Sequence, residues 1–128
     1  MRLLTHNFMQ STVKNVTSGY PLKIEAEEIS EEITDCNPKM IINVLQKLDW
    51  GAVLYAHSVV VASFDPPLEE LPELKPCGES LTEELIESLH RLLMCIHVVT
   101  GTLVCPETNR PFPIKDGIPN MILHEDEL

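Results

Sequence analysis

Nowhere in these 128 residues do two cysteines stand three positions apart. The four thiols, Cys36, Cys77, Cys95 and Cys105, are scattered, and three residues past Cys105 the chain carries Thr108. A zinc ribbon needs paired thiolates converging on a metal about 2.3 Å away, so this half of a metal site is missing. Basic residues are scarce too: nine Lys and Arg against twenty Asp and Glu, a net charge of −11. Contact with phosphate needs clustered positive charge, and its absence argues against direct nucleic-acid binding. Five glycines leave little material for a cofactor cradle, and no nucleophile with a nearby base or framed carboxylate pair marks an enzyme. No apolar run approaches the ~20 residues of a membrane span, and the first residues lack the basic and apolar regions of a secretory signal. The thiols are therefore expected to be free and the protein cytoplasmic and nuclear. On the same ground Asn15-Val16-Thr17, a sequon by form, and the retention-like ending His124–Leu128 are read as incidental.

What is present is enough for one compact domain, or one with an insertion: 44% of the chain is hydrophobic, which fits a folded rather than a disordered protein. Arg2–Phe8 reads as a strand beginning at the first residues, and Leu22–Ala26 alternates with a period of two, a half-buried strand. Asn37-Pro38 has the form of a helix start, followed by a stripe of Met40, Ile41, Val44, Leu45 and Leu48. Asp49 can cap a second helix through Trp50, Val53, Leu54 and His57. Residues 65–79, rich in proline, form an acidic connection. Ser80-Leu81-Thr82-Glu83 has capping-box form and opens a helix with Leu85, Leu89, Leu92, Leu93 and Ile96 on its core face. From Cys95 the pattern turns β-like, and Gly101 is read as a turn into Thr102–Cys105.

The last quarter, Cys105 to Leu123, reads as two short strands around the Asp116-Gly117 turn, closing on an apolar run that carries Pro119. Strands flanking a helical stretch make the fold class α+β. The expected division is a ribbon-like β domain of residues 1–34 and 97–128 and an inserted helical domain, 35–96, of about three helices. Trp50 is expected to pack within the helical part, and His90 and His97, with no cysteine or carboxylate beside them, to be structural or solvent-facing.

With these segments in order, the chain resembles the small methyltransferase-activating subunit family, tRNA methyltransferase 112-like. The resemblance rests on Met1-Arg2-Leu3-Leu4-Thr5-His6-Asn7, Asn37-Pro38, Asp49-Trp50 with Ala52, and Leu89-His90 with Leu92-Leu93. At the C-terminal side Gly101-Thr102-Leu103, Cys105-Pro106-Glu107-Thr108 and Gly117-Ile118-Pro119-Asn120-Met121 complete it. It implies a zinc-ribbon-like small antiparallel sheet formed by both termini around the helical insertion. It also implies a non-catalytic subunit that binds and stabilises several Rossmann-fold, S-adenosylmethionine-dependent methyltransferases. Those partners act on tRNA, rRNA or the class I translation termination factor, and hold S-adenosylmethionine themselves.

Some members of that family hold zinc with four cysteines. Here the matching positions are Ser11, Val16, Cys105 and Thr108, so the resemblance points to a metal-free ribbon and no cofactor is expected. Docking is expected by strand addition plus apolar contacts, in heterodimers with no direct nucleic acid and no membrane. The candidate partner-binding residues are Leu3, Thr5, Asn7 and Phe8 from the first strand, with Ile118, Pro119, Asn120, Met121 and Ile122 from the last. The alternative, a zinc-ribbon-type nucleic-acid-binding module, is opposed by the missing ligands and the acidic balance.

Overall fold

The computed structural model describes residues 1–13, 16–17, 19–64 and 68–123. Asn15 of the sequon and His124–Leu128 lie outside them. Along the chain run α1 (Leu3–Asn7), β1 (Lys23–Glu31), α2 (Pro38–Leu45), α3 (Trp50–Val60), α4 (Glu83–His90), β2 (Ile96–Val104), β3 (Pro111–Lys115) and β4 (Ile118–Pro119). The four strands form one antiparallel sheet in the order β1-β2-β3-β4, an α+β arrangement. No described helix is long and apolar enough to cross a membrane.

The helix starts obey their capping residues. Asn37 Oδ1 accepts the Met40 amide at 3.2 Å with Pro38 at the first helical position, and Asp49 Oδ1 accepts the Ala52 amide at 3.0 Å. Burial of Ile41, Leu45 and Leu48 follows from the apolar stripe of α2. The next start differs from expectation. Ser80 belongs to a short turn, Gly78–Ser80, and the residue capping α4 is Thr82, whose Oγ1 accepts the Leu85 amide at 3.1 Å. Past His90 the helix widens into one π-turn, Arg91–Cys95, and passes directly into β2. Leu89, Leu92, Leu93 and Ile96 are all buried there.

Two further expectations are corrected. The first residues are not a strand: Arg2 makes a single bridge to His97, and Leu3–Asn7 is a helix of five residues. So short a helix is not stable by itself; tertiary contacts hold it. Leu3 is 1% exposed, and the buried His6 bonds through Nε2 to the Leu22 carbonyl at 2.8 Å. Asn7 bonds the backbone of Asp49 twice, Nδ2 donating to its carbonyl at 2.9 Å and Oδ1 accepting its amide at 3.1 Å. Gly101, likewise, is not a turn but lies inside β2 opposite Ala26. A Cβ there would stand 2.3 Å from the Glu25 carbonyl oxygen. The glycine permits close backbone approach beside the bulged register of β1 between Ala26 and Ile29.

The hairpin β3–β4 turns on Asp116 (φ 51°) and Gly117 (φ 78°). Positive φ at both central residues is what a two-residue turn matching strand twist requires, and Asp-Gly supplies it at little strain. Along β3, Phe112 and Ile114 point into the core, whereas Pro111, Pro113 and Lys115 are exposed. Buried side chains from Leu3, Ile41, Trp50, Leu89, Ile96 and Phe112 belong to one apolar cluster joining the helices to the sheet. The two sheet margins differ in character. β1 is bulged and exposes Lys23, Glu25, Glu27, Glu28 and Glu31, whereas β4 is two residues long and uncharged.

Candidate functional site

Pro113 and Lys115 on the outer face of β3, with Ile118 to Ile122 beyond the turn, line one groove. Ile118 is 70% and Ile122 79% exposed. Large aliphatic side chains left in water side by side form the kind of patch that marks a docking surface. Backbone geometry fixes the segment. Asn120 donates its amide to the Pro113 carbonyl at 2.9 Å, and its Oδ1 accepts the Ile122 amide at 3.1 Å. Met121 gives its carbonyl to Thr12 Oγ1 at 2.9 Å. Pro119 has no amide hydrogen, which confines it to a sheet margin. The groove therefore combines apolar side chains, one ammonium group at Lys115 and a short β edge.

Of the nine expected partner-binding residues, the structure brings together Ile118, Pro119, Asn120, Met121 and Ile122. Thr5 and Phe8 are exposed, Phe8 at 56%. Leu3 and Asn7 are not available to a partner: both are buried, Leu3 in the apolar cluster and Asn7 against Asp49. The physical reason is the helix. In a strand Leu3, Thr5 and Asn7 would share a face; wound into α1 they point in different directions. Pro113 and Lys115 were missed, although the alternation Pro111-Phe112-Pro113-Ile114-Lys115 placed both on the outer face of their strand.

Residues weighed for other roles are structural. Trp50 is buried, and its Nε1 donates to the Pro72 carbonyl at 3.0 Å. His90 Nε2 sits 3.0 Å from the Thr34 carbonyl and 3.2 Å from Thr34 Oγ1. His97 lies on β2, so no helix carries it with His90. His6 is wholly buried. Because a carbonyl can only accept, Nε2 carries the proton, and Nδ1 is left bare with no partner. Burial lowers its pKa, against a smaller rise from the bond to Leu22.

The positions corresponding to a zinc site lie close to one another. A Cβ at Gly19 would meet Ser11 Cβ at 2.9 Å and Val16 Cγ1 at 3.0 Å. Burial raises the Cys105 thiol pKa, but hydrogen bonds from the Ser11 and Thr108 side chains and from backbone at Thr108 and Glu107 outweigh it, so the net direction is down. The donors do not suit zinc: one thiol, two hydroxyls and an isopropyl group stand where four strong ligands are needed. Among the described residues no group of three or more His, Cys, Asp or Glu could hold a metal.

Residues 2–117 match the model of the Trm112p-like protein family. The chain belongs to that family. It is 44% identical to the multifunctional methyltransferase subunit TRM112 homolog A of Arabidopsis thaliana, with both chains covered in full. It is 38% identical to the TRM112-like methyltransferase subunit of Bos taurus, covering 99% of this chain and 98% of that one. Identity to the TRM112 subunit of Saccharomyces cerevisiae is 27%, with 96% of each covered. Among solved structures, a chain of the E. cuniculi Mtq2-Trm112 complex, which methylates the eRF1 translation termination factor, superposes with a TM-score of 0.57. It covers 95% of each chain at 18% identity. At that identity the likeness concerns the fold. This Trm112p-like chain therefore shares the architecture of a subunit solved together with an enzyme, and it carries its exposed aliphatic groove at the end of the sheet.

Proposed function

We propose that this chain is a non-catalytic subunit that binds, stabilises and activates S-adenosylmethionine-dependent methyltransferases acting on tRNA, rRNA and the translation termination factor. Identity over the full length of relatives named as methyltransferase subunits supports the role. The observation that carries the docking site is the Ile118–Ile122 segment: two isoleucines held in water on a segment that its own hydrogen bonds make rigid. In this reading Ile118, Pro119, Asn120, Met121 and Ile122 meet the enzyme, Phe8 and Thr5 lie at the rim, and the enzyme supplies the S-adenosylmethionine pocket. No cofactor is assigned to this chain.

The physics of activation is mass action. A partner that binds the folded enzyme but not the unfolded one stabilises it by about 2.7–4.1 kcal/mol when present at 100 to 1,000 times its Kd. Pairing through main-chain groups at β4 does not read side-chain identity, so enzymes of different sequence can share the edge. Met121 adapts to different neighbours because its side chain is unbranched and polarisable.

The test is co-expression of the chain with a Rossmann-fold methyltransferase of the termination factor, followed by affinity capture and a methyl-transfer assay. The expected result is a 1:1 complex whose activity neither polypeptide shows alone. The double substitution Ile118→Asp with Ile122→Asp should abolish capture while leaving the melting temperature of the isolated chain within about 2 °C, as expected for exposed positions. Capture undiminished by both charges would refute the site, and methyl transfer by this chain alone would refute the role.

A further inference from the structure

In place of the bond that a metal would make between two loops, we propose a side-chain clamp: Glu107, in the loop after β2, grips Thr17, in the loop before β1, around the hydrogen-bonded Cys105. The clamp sets the position of the docking segment, and this part of the inference rests on the reading of that segment given above.

Among the described residues each loop carries hydrogen bonds of its own. In the first, Ser11 donates its amide to the Gly19 carbonyl at 2.8 Å, and Ser11 Oγ accepts the Val13 amide at 3.2 Å. In the second, the Cys105 amide bonds the Arg110 carbonyl at 3.0 Å and the Asn109 amide bonds the Cys105 carbonyl at 2.9 Å, with Asn109 at φ 60°. Glu107 supplies two ties across. Glu107 Oε2 accepts the Thr17 amide at 3.1 Å and Oε1 accepts Thr17 Oγ1 at 3.2 Å. Two-point attachment fixes the orientation of both partners, which a single bond does not. Glu107 thus holds Thr17, and Thr12 of the same loop holds the carbonyl of Met121, which lies between Ile118 and Ile122 in the chain.

A metal would perform the same task by joining positions 11 and 16 to 105 and 108. In this chain those positions lie close together without the ligands, while an acidic side chain on the second loop reaches the first. The arrangement predicts independence from metal. It also predicts that the convergence is good enough to be turned into a metal site.

Amide exchange on the isolated full chain reads the clamp without reference to any enzyme. Glu107→Ala should accelerate exchange at residue 17 and at 120–122 by about five- to tenfold, the equivalent of one net hydrogen bond, with α2 and α3 unchanged. In the Glu107→Ala background, adding Ser11→Cys, Val16→Cys and Thr108→Cys should bind one zinc per chain by elemental analysis and restore slow exchange, and chelator should reverse both. Stoichiometric zinc in the natural chain, or unaltered exchange in Glu107→Ala, would overturn the clamp. Failure of the four-cysteine variant to bind zinc would overturn the convergence. If the exchange results hold but Glu107→Ala captures methyltransferase as well as the natural chain does, the link to docking fails and the clamp stands. If the natural chain captures none, the docking reading itself has failed.

Discussion

Replacing Asn7 with alanine separates the two roles that this residue has been given. In the structure its amide bridges both backbone groups of Asp49, at 2.9 and 3.1 Å. Asp49 in turn caps α3, and the Asn7 carbonyl accepts Tyr20 Oη at 2.5 Å. Alanine removes two hydrogen bonds, each with a net contribution of about 1 kcal/mol, and strands a partly buried donor and acceptor, which adds about 1 kcal/mol or more. The expected destabilisation is therefore about 3 kcal/mol. For a chain of this length that corresponds to a fall of roughly 10 °C in Tm, measured by calorimetry or by circular dichroism. Asn7→Ala should still be captured by methyltransferase at 10 °C, where the variant remains folded. A variant with unchanged Tm but lost capture would place Asn7 on the docking surface and refute the structural assignment.

The remaining expectations concern the fold. Protonating His6 is disfavoured in the folded chain, whose His6 pKa lies below the ordinary 6.5 because of burial. The unfolded chain takes up this proton first, so stability is full above about pH 6.5 and declines as pH falls below it, by at most about 1.4 kcal/mol per pH unit. His6→Gln should flatten that slope in urea titrations run between pH 7 and pH 5. Gly101→Ala should destabilise by about 2–3 kcal/mol and speed amide exchange along β1, because the new methyl group must displace the Glu25 carbonyl. Thr82→Ala, which deletes the α4 cap, should lower stability by about 1 kcal/mol in the same urea assay. An unaffected Gly101→Ala variant would mean that β1 and β2 are further apart than described.

Helices α2 and α3 were legible because Asn37-Pro38 and Asp49 are start signals backed by a periodic apolar stripe. The β3–β4 hairpin was legible because Asp116-Gly117 leaves few other turns open. What escaped was decided by contacts distant in sequence. Arg2–Phe8 is too short to show a helical period, and only its bonds to Leu22 and Asp49 select a helix over an extended chain. Gly101 was read as a turn because a glycine needed for reversal and one needed for close approach look alike until the opposing strand is known. Ser80 and Thr82 both had cap chemistry, and the Gly78–Ser80 turn settled which was used. β1 runs past Ala26 to Glu31 without the alternation of a half-buried strand, since its bulge resets the register and its outer residues are acidic. Five of the seven residues lining the groove were visible for a local reason. Ile118 to Ile122 follow a turn whose geometry is written in two residues, whereas Leu3 and Asn7 lay on an element whose type was not.

The unlike margins of the sheet bear on how a cell would ration such a subunit. At β1, bulges and like charges repel an incoming strand. Of the two described margins, the β4 side carries no such charges, and at two residues it is too short for two strands at once. On the docking proposed above, enzymes that use this edge compete for one berth, so overproducing one client should deplete the others.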